Sequence, residues 1–427
     1  MSAAFDVVVT GSGPGGIVAA TIAAEADMRV CLVDDNATLG GQIWRGLQAN
    51  SARNHPLGRY FLHWTERLKR TRCDIFTGWQ AIGQPAPHLL RIERAGEFQD
   101  LRFHKLILAT GARERFLPFP GWTLPGVIGA GGLQAFVKAG LDAQGKRVVV
   151  AGTGPLLLAV AAGLRDAGVS MIGVYEQAPL SQLLRFGFTL ARHPGKLAEG
   201  IRYRRKLGGV PYRTSCWVVR AEGCGQIERV VVTDGHREWT HDCDWLACGF
   251  HLVPNLELPR LLGCNIADGY VAVDSLQQTS VVDIACVGEL TGIGGIEKAM
   301  LEGEIAGWAA AGDKVKALAS ARKLKRLHEF AQRLERAFAL RDELRALPAA
   351  DTVVCRCEDV PHAALSECGS WREAKLHTRC GMGPCQGRIC GSAAEYLFGW
   401  KCSGVRPPVY PAEASAIAAR VDSSESG

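Results

Sequence analysis

The sequence predicts an α/β protein in which one Rossmann-like dinucleotide-binding domain is interrupted by a second, with a small cysteine-rich domain near the C terminus. Three observations carry this prediction. A complete βαβ pattern opens the chain between Asp6 and Asp34, a second copy begins at Arg147, and seven of the 15 cysteines crowd into Cys355 to Cys402. At 427 residues, 47% of them hydrophobic and 22% charged, the chain can form two or three domains with separate cores.

In the first pattern, Asp6-Val-Val-Val-Thr10 runs into Gly11-x-Gly13-x-x-Gly16, with Pro14 opening an Ala-rich helix to Ala26. A second strand, Arg29 to Val33, ends on Asp34. Gly11 permits the tight turn, Gly13 lets the backbone approach a pyrophosphate, and Gly16 lets helix and strand pack closely. The helix N-terminus presents free N–H groups to the phosphates. Asp34, 18 residues beyond Gly16, stands where a carboxylate can take the hydroxyls of an adenosine ribose.

Past this unit, Gly40-Gly41-Gln42-Ile43-Trp44-Arg45 lets backbone pass close to a pyrophosphate or a flavin ring, and Arg45 could reach phosphate oxygens. Flavin-dependent disulfide reductases carry a redox cysteine pair just beyond this point. Gly46 to Tyr60 contains no cysteine, and no Cys-x-x-Cys occurs before residue 350, so dithiol chemistry at a flavin is disfavoured. Leu89–Ile92 and Leu101–Phe103 read as strands about a turn at Ala95-Gly96. Lys105-Leu-Ile-Leu-Ala-Thr110-Gly111 is a buried strand whose Ala-Thr-Gly end carries the chain out of the first domain, as in flavoproteins with two dinucleotide domains.

The second pattern, Arg147 to Glu176, contains Gly152-Thr-Gly154 but has Leu157 where the third glycine belongs. That side chain should push helix from strand, so a degenerate or differently occupied site is expected, with NADH the alternative occupant. Cys216–Arg220 and Ile227–Thr233 read as a hairpin. Val282 to Gly288-Glu289 returns to the first domain, followed by Thr291-Gly-Ile-Gly-Gly295 and a helix from about Ile296. Flavoproteins of this architecture use Gly-Asp here to hold the ribityl hydroxyls; Glu289 keeps the carboxylate on a longer arm. The expected domains are therefore 1–118 with 247–312 for FAD, 119–246 inserted, 313–347 a basic helical linker, 348–405 the cysteine-rich domain and 406–427 a tail.

Apolar residues at intervals of three and four predict a helix over Asp313–Arg345, which holds ten Lys/Arg against five Asp/Glu, net +5 of the chain's +6. This is either a solvated face or a docking surface for an acidic partner or a membrane. No aromatic platform or second basic stripe supports nucleic-acid binding. No transmembrane or secretory segment is expected, since the longest apolar run, Leu156 to Leu164, falls far short of the roughly 20 residues a bilayer requires. A reducing, cytoplasmic location is expected for a chain of this size with unpaired cysteines, either free or attached at the inner membrane face.

Cys355-Arg-Cys357-Glu is followed, with 22 residues between Cys357 and Cys380, by Cys380-Gly-Met-Gly-Pro-Cys385-Gln-Gly-Arg-Ile-Cys390. Four thiolates suit a 2Fe-2S cluster, glycines let backbone N–H groups reach the sulfurs, and Arg379 and Arg388 offset its negative charge. Structural zinc is the alternative, although its modules favour cysteine pairs two to four residues apart. Five cysteines compete for four places. Cys355, Cys357, Cys385 and Cys390 are the expected ligands and Cys380 the spare.

The motif from Thr378 to Cys390, with Cys355-Arg-Cys357-Glu, resembles the 2Fe-2S domain of the bacterioferritin-associated-ferredoxin (BFD-like) type. Ala109-Thr-Gly-Ala-Arg-Glu-Arg115 and Phe119-Pro-Gly-Trp-Thr-Leu-Pro-Gly-Val127 resemble the α subunits of heteromeric bacterial amino-acid and opine dehydrogenases. The resemblance spans Asp6 to about Trp400. It implies an electron-transferring α subunit carrying FAD and the cluster, with no catalytic residue of its own. An oxidase-like flavoprotein β subunit would oxidise the C–N bond of a hydroxyproline- or opine-like amine. A small third subunit, an FMN at a subunit interface and a downstream electron acceptor are further implied. Two other expectations compete: a self-sufficient NAD(P)H-dependent reductase, recognised by bleaching of its flavin with NADH, and a scaffold with a zinc-bearing tail, recognised by zinc without iron.

Overall fold

The structure, a computed structural model, describes residues 3–45, 47, 57–401 and 404–421. Cys402, part of the expected tail and most of the cysteine-free stretch after Arg45 lie outside the described residues. The chain divides into two compact units: Met1–Arg113 with Pro254–Gln332 and Gly404–Gly427, and Glu114–Val253 with Arg333–Ser403. The second unit takes in the cysteine-rich segment and the first the terminal segment.

The first unit holds a seven-stranded sheet of β1 (Ala3–Thr10), β2 (Val30–Asp34), β3 (Asp74–Thr77), β4 (Gln80–Ala86), β5 (Leu89–Arg94), β6 (Glu97–Leu108) and a return strand, Ile284–Cys286. Its order is β3-β2-β1-β6-β5-β4, with the return strand paired to β6. β6 has two roles. Its first half pairs antiparallel with β5 through the turn in which Ala95 and Gly96 both take positive φ, and its second half lies parallel between β1 and the return strand. β2 is buried along its whole length and reads as a continuous apolar run because both sheet faces are covered. Helix α1 (Pro14–Glu25) buries every residue from Gly15 to Ala23, packed between the sheet and the return helix, Ile296–Ala310. Small residues make that approach possible: a Cβ on Gly303 would fall 2.2 Å from the Gly15 carbonyl oxygen. A second helix, α2 (Gly58–Lys69), also packs on α1.

The second unit contains a five-stranded, wholly parallel sheet: β7 (Val127–Gly129), β8 (Arg147–Thr153), β9 (Ser170–Glu176), β10 (Tyr212–Thr214) and β14 (Trp245–Phe250), ordered β10-β9-β8-β14-β7. Between β10 and β14 runs an antiparallel meander of β11 (Trp217–Glu222), β12 (Arg229–Thr233) and β13 (Glu238–Asp242); β11 and β12 form the expected hairpin, with Trp217 opposite Thr233. Helices α3 (Ala130–Lys138), α4 (Leu156–Asp166), α5 (Leu180–Leu190) and α6 (Pro194–Lys206) accompany the parallel sheet. Leu157 is accommodated rather than disruptive, because a glycine opposite leaves room. A Cβ on Gly249 of β14 would sit 3.3 Å from the Leu157 side chain.

The basic helix covers Lys314–Ala337 and stops short of Arg345; an irregular strap, Phe338–Arg341, and a single turn, Asp342–Ala346, follow. Its apolar stripe is largely buried, with Ala317, Leu324, Phe330 and Leu334 inside. The cysteine-rich segment is built from short antiparallel strands, Val353–Cys355 and Val360–Pro361, and the helices Trp371–Thr378 and Cys390–Phe398, around Val354, Leu365, Trp371 and Trp400. Ser370 caps the first of these helices by accepting from the Glu373 N–H at 3.2 Å.

Candidate cofactor and metal sites

The opening βαβ pattern forms the glycine loop that its spacing predicts. Gly11 has φ +98°, and a Cβ there would strike the Ala109 carbonyl at 2.3 Å, so the end of β6 passes directly behind the turn. A Cβ on Gly16 would meet the Gly11 carbonyl at 1.8 Å, which makes this glycine a packing requirement. Gly13 differs: it has φ −67°, and nothing lies within 4 Å of where its Cβ would stand. That open side is the one a pyrophosphate needs. Pro14 is the first residue of α1 and lacks only an N–H that has no helical partner.

Asp34 is buried and accepts from the Ser12 N–H and, at 2.7 Å, from the Asn36 N–H. Gly40 donates to the Ser12 carbonyl at 2.9 Å, and a Cβ on Gly41, at φ +57°, would touch the Gly13 Cα at 2.9 Å. The loop after β2 therefore closes over the glycine turn. Arg45 is directed to the Asn36 side chain at 2.9 Å, while Gln42 is exposed. Three buried donors here, the Thr10 and Ser12 hydroxyls and the Trp44 indole N–H, have no hydrogen-bond partner among the described residues. Unsatisfied buried polar groups are uncommon, and their concentration beside an open glycine fits a bound dinucleotide.

Thr110 and Gly111 are tied to Asn255, which donates from its side chain to the Thr110 carbonyl at 2.8 Å and from its N–H to the Gly111 carbonyl at 3.0 Å. On the return segment, Gly288 and Gly295 both have φ +82°. The Glu289 carboxylate accepts from the Gly294 and Gly295 N–H groups at 2.9 and 3.0 Å, and burial raises its pKa despite these donors. It organises the entry to the return helix. Sequence reasoning missed the group beneath that loop. Fully buried Lys298 and Glu302 pair at 2.8 Å; Glu302 also accepts from the Gly288 N–H at 2.8 Å and from His328 at 3.1 Å, and Lys298 donates to the Thr291 hydroxyl at 2.8 Å. A Lys-x-x-x-Glu pair within an apolar helix was the available signal.

The second glycine turn carries a corresponding carboxylate. Glu176 accepts from the Gly154 and Ala178 N–H groups, both at 2.8 Å, and burial pushes its pKa up to about 7. The crevice at the strand ends is filled, however, by the chain itself. Thr153 donates to the Phe338 carbonyl at 3.2 Å, the Gln177 amide donates to the Ala339 carbonyl at 3.0 Å, and Arg341 donates back to the Gln177 side-chain oxygen at 3.1 Å. Phe186 meets Phe338 edge-on with ring centroids 5.6 Å apart. The Arg341 guanidinium lies 4.1 Å above the Trp217 ring and its carbonyl accepts from Tyr396.

The sulfurs of Cys355, Cys380 and Cys390 lie within 4.8 Å of one another, all three residues buried. Cys380, the expected spare, is thus inside the group, whereas Cys357 is exposed and Cys385 half-buried. Cys385 hydrogen-bonds with both Cys390 and Cys357, which joins all five thiols into one nest. Bonds from Cys380 and Cys390 hold the Cys355 thiol down to about 2, and the bond with Cys390 holds Cys385 down to about 5. The Gly381 N–H points at the Cys355 sulfur at 3.5 Å. Gly383 lets Cys357 approach, since a Cβ on it would stand 2.3 Å from that of Cys357. The shifts are opposed within the nest, Cys357 and Cys390 being raised while Cys355 and Cys385 are lowered, and it is the donor set made only of sulfur that fits a thiophilic metal centre. Arg379 is paired with Glu358 at 2.8 Å and Arg388 donates to the Cys385 carbonyl at 3.2 Å.

Comparison with known proteins agrees with this geometry. Residues 5–313 match the family model described as pyridine nucleotide-disulphide oxidoreductase. Hydrogen cyanide synthase subunit HcnB of Pseudomonas aeruginosa is 33% identical over 419 residues, covering 90% of each chain. An opine oxidase subunit of Rhizobium meliloti is 30% identical over 468 residues, covering 98% of this chain and 99% of the relative. Among solved structures, L-proline dehydrogenase from P. horikoshii superposes with a TM-score of 0.68 at 18% identity, covering 98% of this chain and 80% of that one.

Proposed function

Because the chain belongs to the pyridine nucleotide-disulphide oxidoreductase family and is a flavin-type oxidoreductase by that membership, we propose that it is the electron-relaying α subunit of a heteromeric amino-acid dehydrogenase. The relatives named as subunits of hydrogen cyanide synthase and opine oxidase match it over nine-tenths or more of its length. Their likeness supports a partner, here proposed as an oxidase-like flavoprotein that oxidises a hydroxyproline- or opine-like amine.

The observation that carries the proposal is the contrast between the two nucleotide crevices. Gly13 and Gly154 are equally open, but beside the first turn three buried donors have no partner among the described residues, whereas the strand ends of the second are bonded by Phe338–Arg341. A nicotinamide donor at the second turn would have to displace Phe338–Arg341, so in this reading reducing equivalents come from a partner. When bound, FAD would take electrons in pairs and a 2Fe-2S cluster would pass them on singly. In this reading Gly11, Gly13, Pro14 and Gly16 bind the pyrophosphate and Asp34 the ribose. Gly41, Gln42, Arg45, Thr110, Gly111, Gly288, Glu289 and Gly295 line the remainder, while Cys355, Cys357, Cys385 and Cys390 hold the cluster. Cys357 and Cys385 are the less buried of that set, and in this reading electrons leave past them.

The test is to express the chain alone and with a candidate oxidase-like subunit, then assay opines, hydroxyprolines and glycine with an artificial dye. Turnover is expected only from the complex. Turnover by the solitary chain at a comparable rate, or dye reduction driven by NADH, would overturn the division of labour.

A further inference from the structure

We propose that the outward face of α5 and α6 docks on an anionic lipid surface. Leu180, Leu184 and Phe188 recur every four residues on α5 and so share one face, where they are 55%, 60% and 81% exposed. The opposite face of the same helix is already satisfied, with Phe186 and Thr189 buried and Phe186 against Phe338. A surface helix needs one apolar stripe; α5 has two. On α6, Leu197 and Ile201 are also four apart and exposed, and this helix buries no residue at all. Five large apolar side chains on consecutive helices thus contribute little to any core, and exposed apolar groups of this kind mark interaction surfaces.

Charge identifies the occupant. From Leu180 to Lys206 there are seven Lys/Arg and one acidic residue, a net +6 that equals the charge of the entire chain. Glu199 is engaged by Arg202 and Lys206 by Asp166, while Arg185, Arg192 and Arg205 are exposed and make no ion pair among the described residues. Arg204 and Arg205 follow Ile201 by three and four residues, so cations flank the apolar stripe on the same side of α6. Helices that lie in a bilayer interface combine these features: an apolar face entering the headgroup boundary by about 5–10 Å, with Lys and Arg beside it to meet anionic headgroups. Protein interfaces, by contrast, deplete charge from the centre of the patch. The basic helix Lys314–Ala337 does not offer the same device, since most of its apolar stripe is buried.

Lipid docking does not depend on the proposed electron transfer and is tested separately. The full chain, carrying whatever cofactors it retains, is sedimented with vesicles of phosphatidylcholine alone and of phosphatidylcholine with phosphatidylglycerol. Two variants accompany it: Leu184→Ser with Phe188→Ser, and Arg185→Gln with Arg192→Gln and Arg205→Gln. The wild type is expected to bind the anionic vesicles and to release them at high salt, with partitioning reduced at least tenfold by the first variant and about a hundredfold by the second. Should the first variant melt early, the arginine variant decides alone, because its three side chains are exposed and make no ion pair among the described residues. Absence of vesicle binding by the wild type, or binding unchanged in the arginine variant, would overturn the proposal. So would an oligomer that the first variant turns into a monomer, which would make the face a contact between copies. Loss of vesicle binding when the oxidase-like partner is added would assign the face to that partner instead.

Discussion

The Thr153 hydroxyl donates to the Phe338 carbonyl at 3.2 Å, so the last residue of a phosphate-loop strand is bonded to a segment 185 positions later in the chain. NADH and NADPH should accordingly leave the flavin of the purified chain unbleached in anaerobic stopped-flow traces. Gln177→Ala removes the amide that bonds Ala339 and Arg341 and should cost about 1–3 kcal/mol in thermal or denaturant unfolding. Prompt bleaching by NADH in the wild type would mean that the strap yields to a ligand.

The glycines of the first turn separate binding from folding. Gly13→Val should fold with a melting temperature close to the wild type, since the added atoms enter open space, yet lose its flavin during gel filtration. Gly16→Ala should fail to accumulate as folded protein, because its Cβ would stand 1.8 Å from a carbonyl oxygen. Gly154→Val, at φ +102°, should lower stability while leaving the flavin-to-protein ratio intact.

Cysteine substitutions address the cluster. About two irons and two sulfides per chain are expected after anaerobic reconstitution. Cys385→Ser and Cys390→Ser should abolish the visible absorption and the electron paramagnetic signal of the reduced cluster, and Cys380→Ser should keep both. Loss with Cys380→Ser but not with Cys357→Ser would exchange those two ligands, as the proximity of Cys380 to Cys355 and Cys390 allows. Zinc in place of iron would remove the redox role altogether.

Glu176 makes stability depend on pH. Its folded pKa, raised to about 7 by burial, lies above the ordinary 4.5 of a free glutamate, so the folded state holds the proton more tightly than the unfolded chain does. The stabilisation is complete below about 4.5 and declines as pH rises through 7. Its size is on the order of 3 kcal/mol. Glu176→Gln should flatten the profile of unfolding free energy over that window, and an unchanged slope would place the titration elsewhere.

Removing one partner of the Lys298–Glu302 pair should be among the most damaging single changes in the chain. Lys298→Met leaves a fully buried carboxylate beside only neutral donors and His328, and should cost about 3–5 kcal/mol in urea unfolding. A loss under about 1 kcal/mol would show that the pair is not buried in solution.

The sheet architecture is legible in the sequence because buried parallel strands such as Val30–Asp34 are unbroken apolar runs and because Gly11, Gly13 and Gly16 have steric duties that no other residue fulfils. The strap is not legible. The three- and four-residue periodicity continues to Leu344, and nothing in it reveals that the carbonyls of Phe338 and Ala339 are claimed by Thr153 and Gln177. Leu157 misleads for a related reason: its compensating partner, Gly249, lies on a distant strand. Local pattern reports which face of an element is apolar, but not which distant backbone competes for its hydrogen bonds. The five cysteines are ambiguous in the same way, since spacing alone gives Cys380 no sign of its burial beside Cys355.

Leu344 is fully buried in the same core as Val149 and Trp217, and this imposes an order on biosynthesis. When Val253 has left the ribosome the second unit has every strand of its parallel sheet and meander but lacks the side chains that seal its crevice. Some ninety residues belonging largely to the first unit must emerge before Leu344 does, which takes roughly 5–20 s at ordinary elongation rates. During that interval the apolar surface that Leu344 covers in the finished unit is left exposed. A chain truncated after the first unit's return helix should therefore be recovered as aggregate, however complete its two glycine turns.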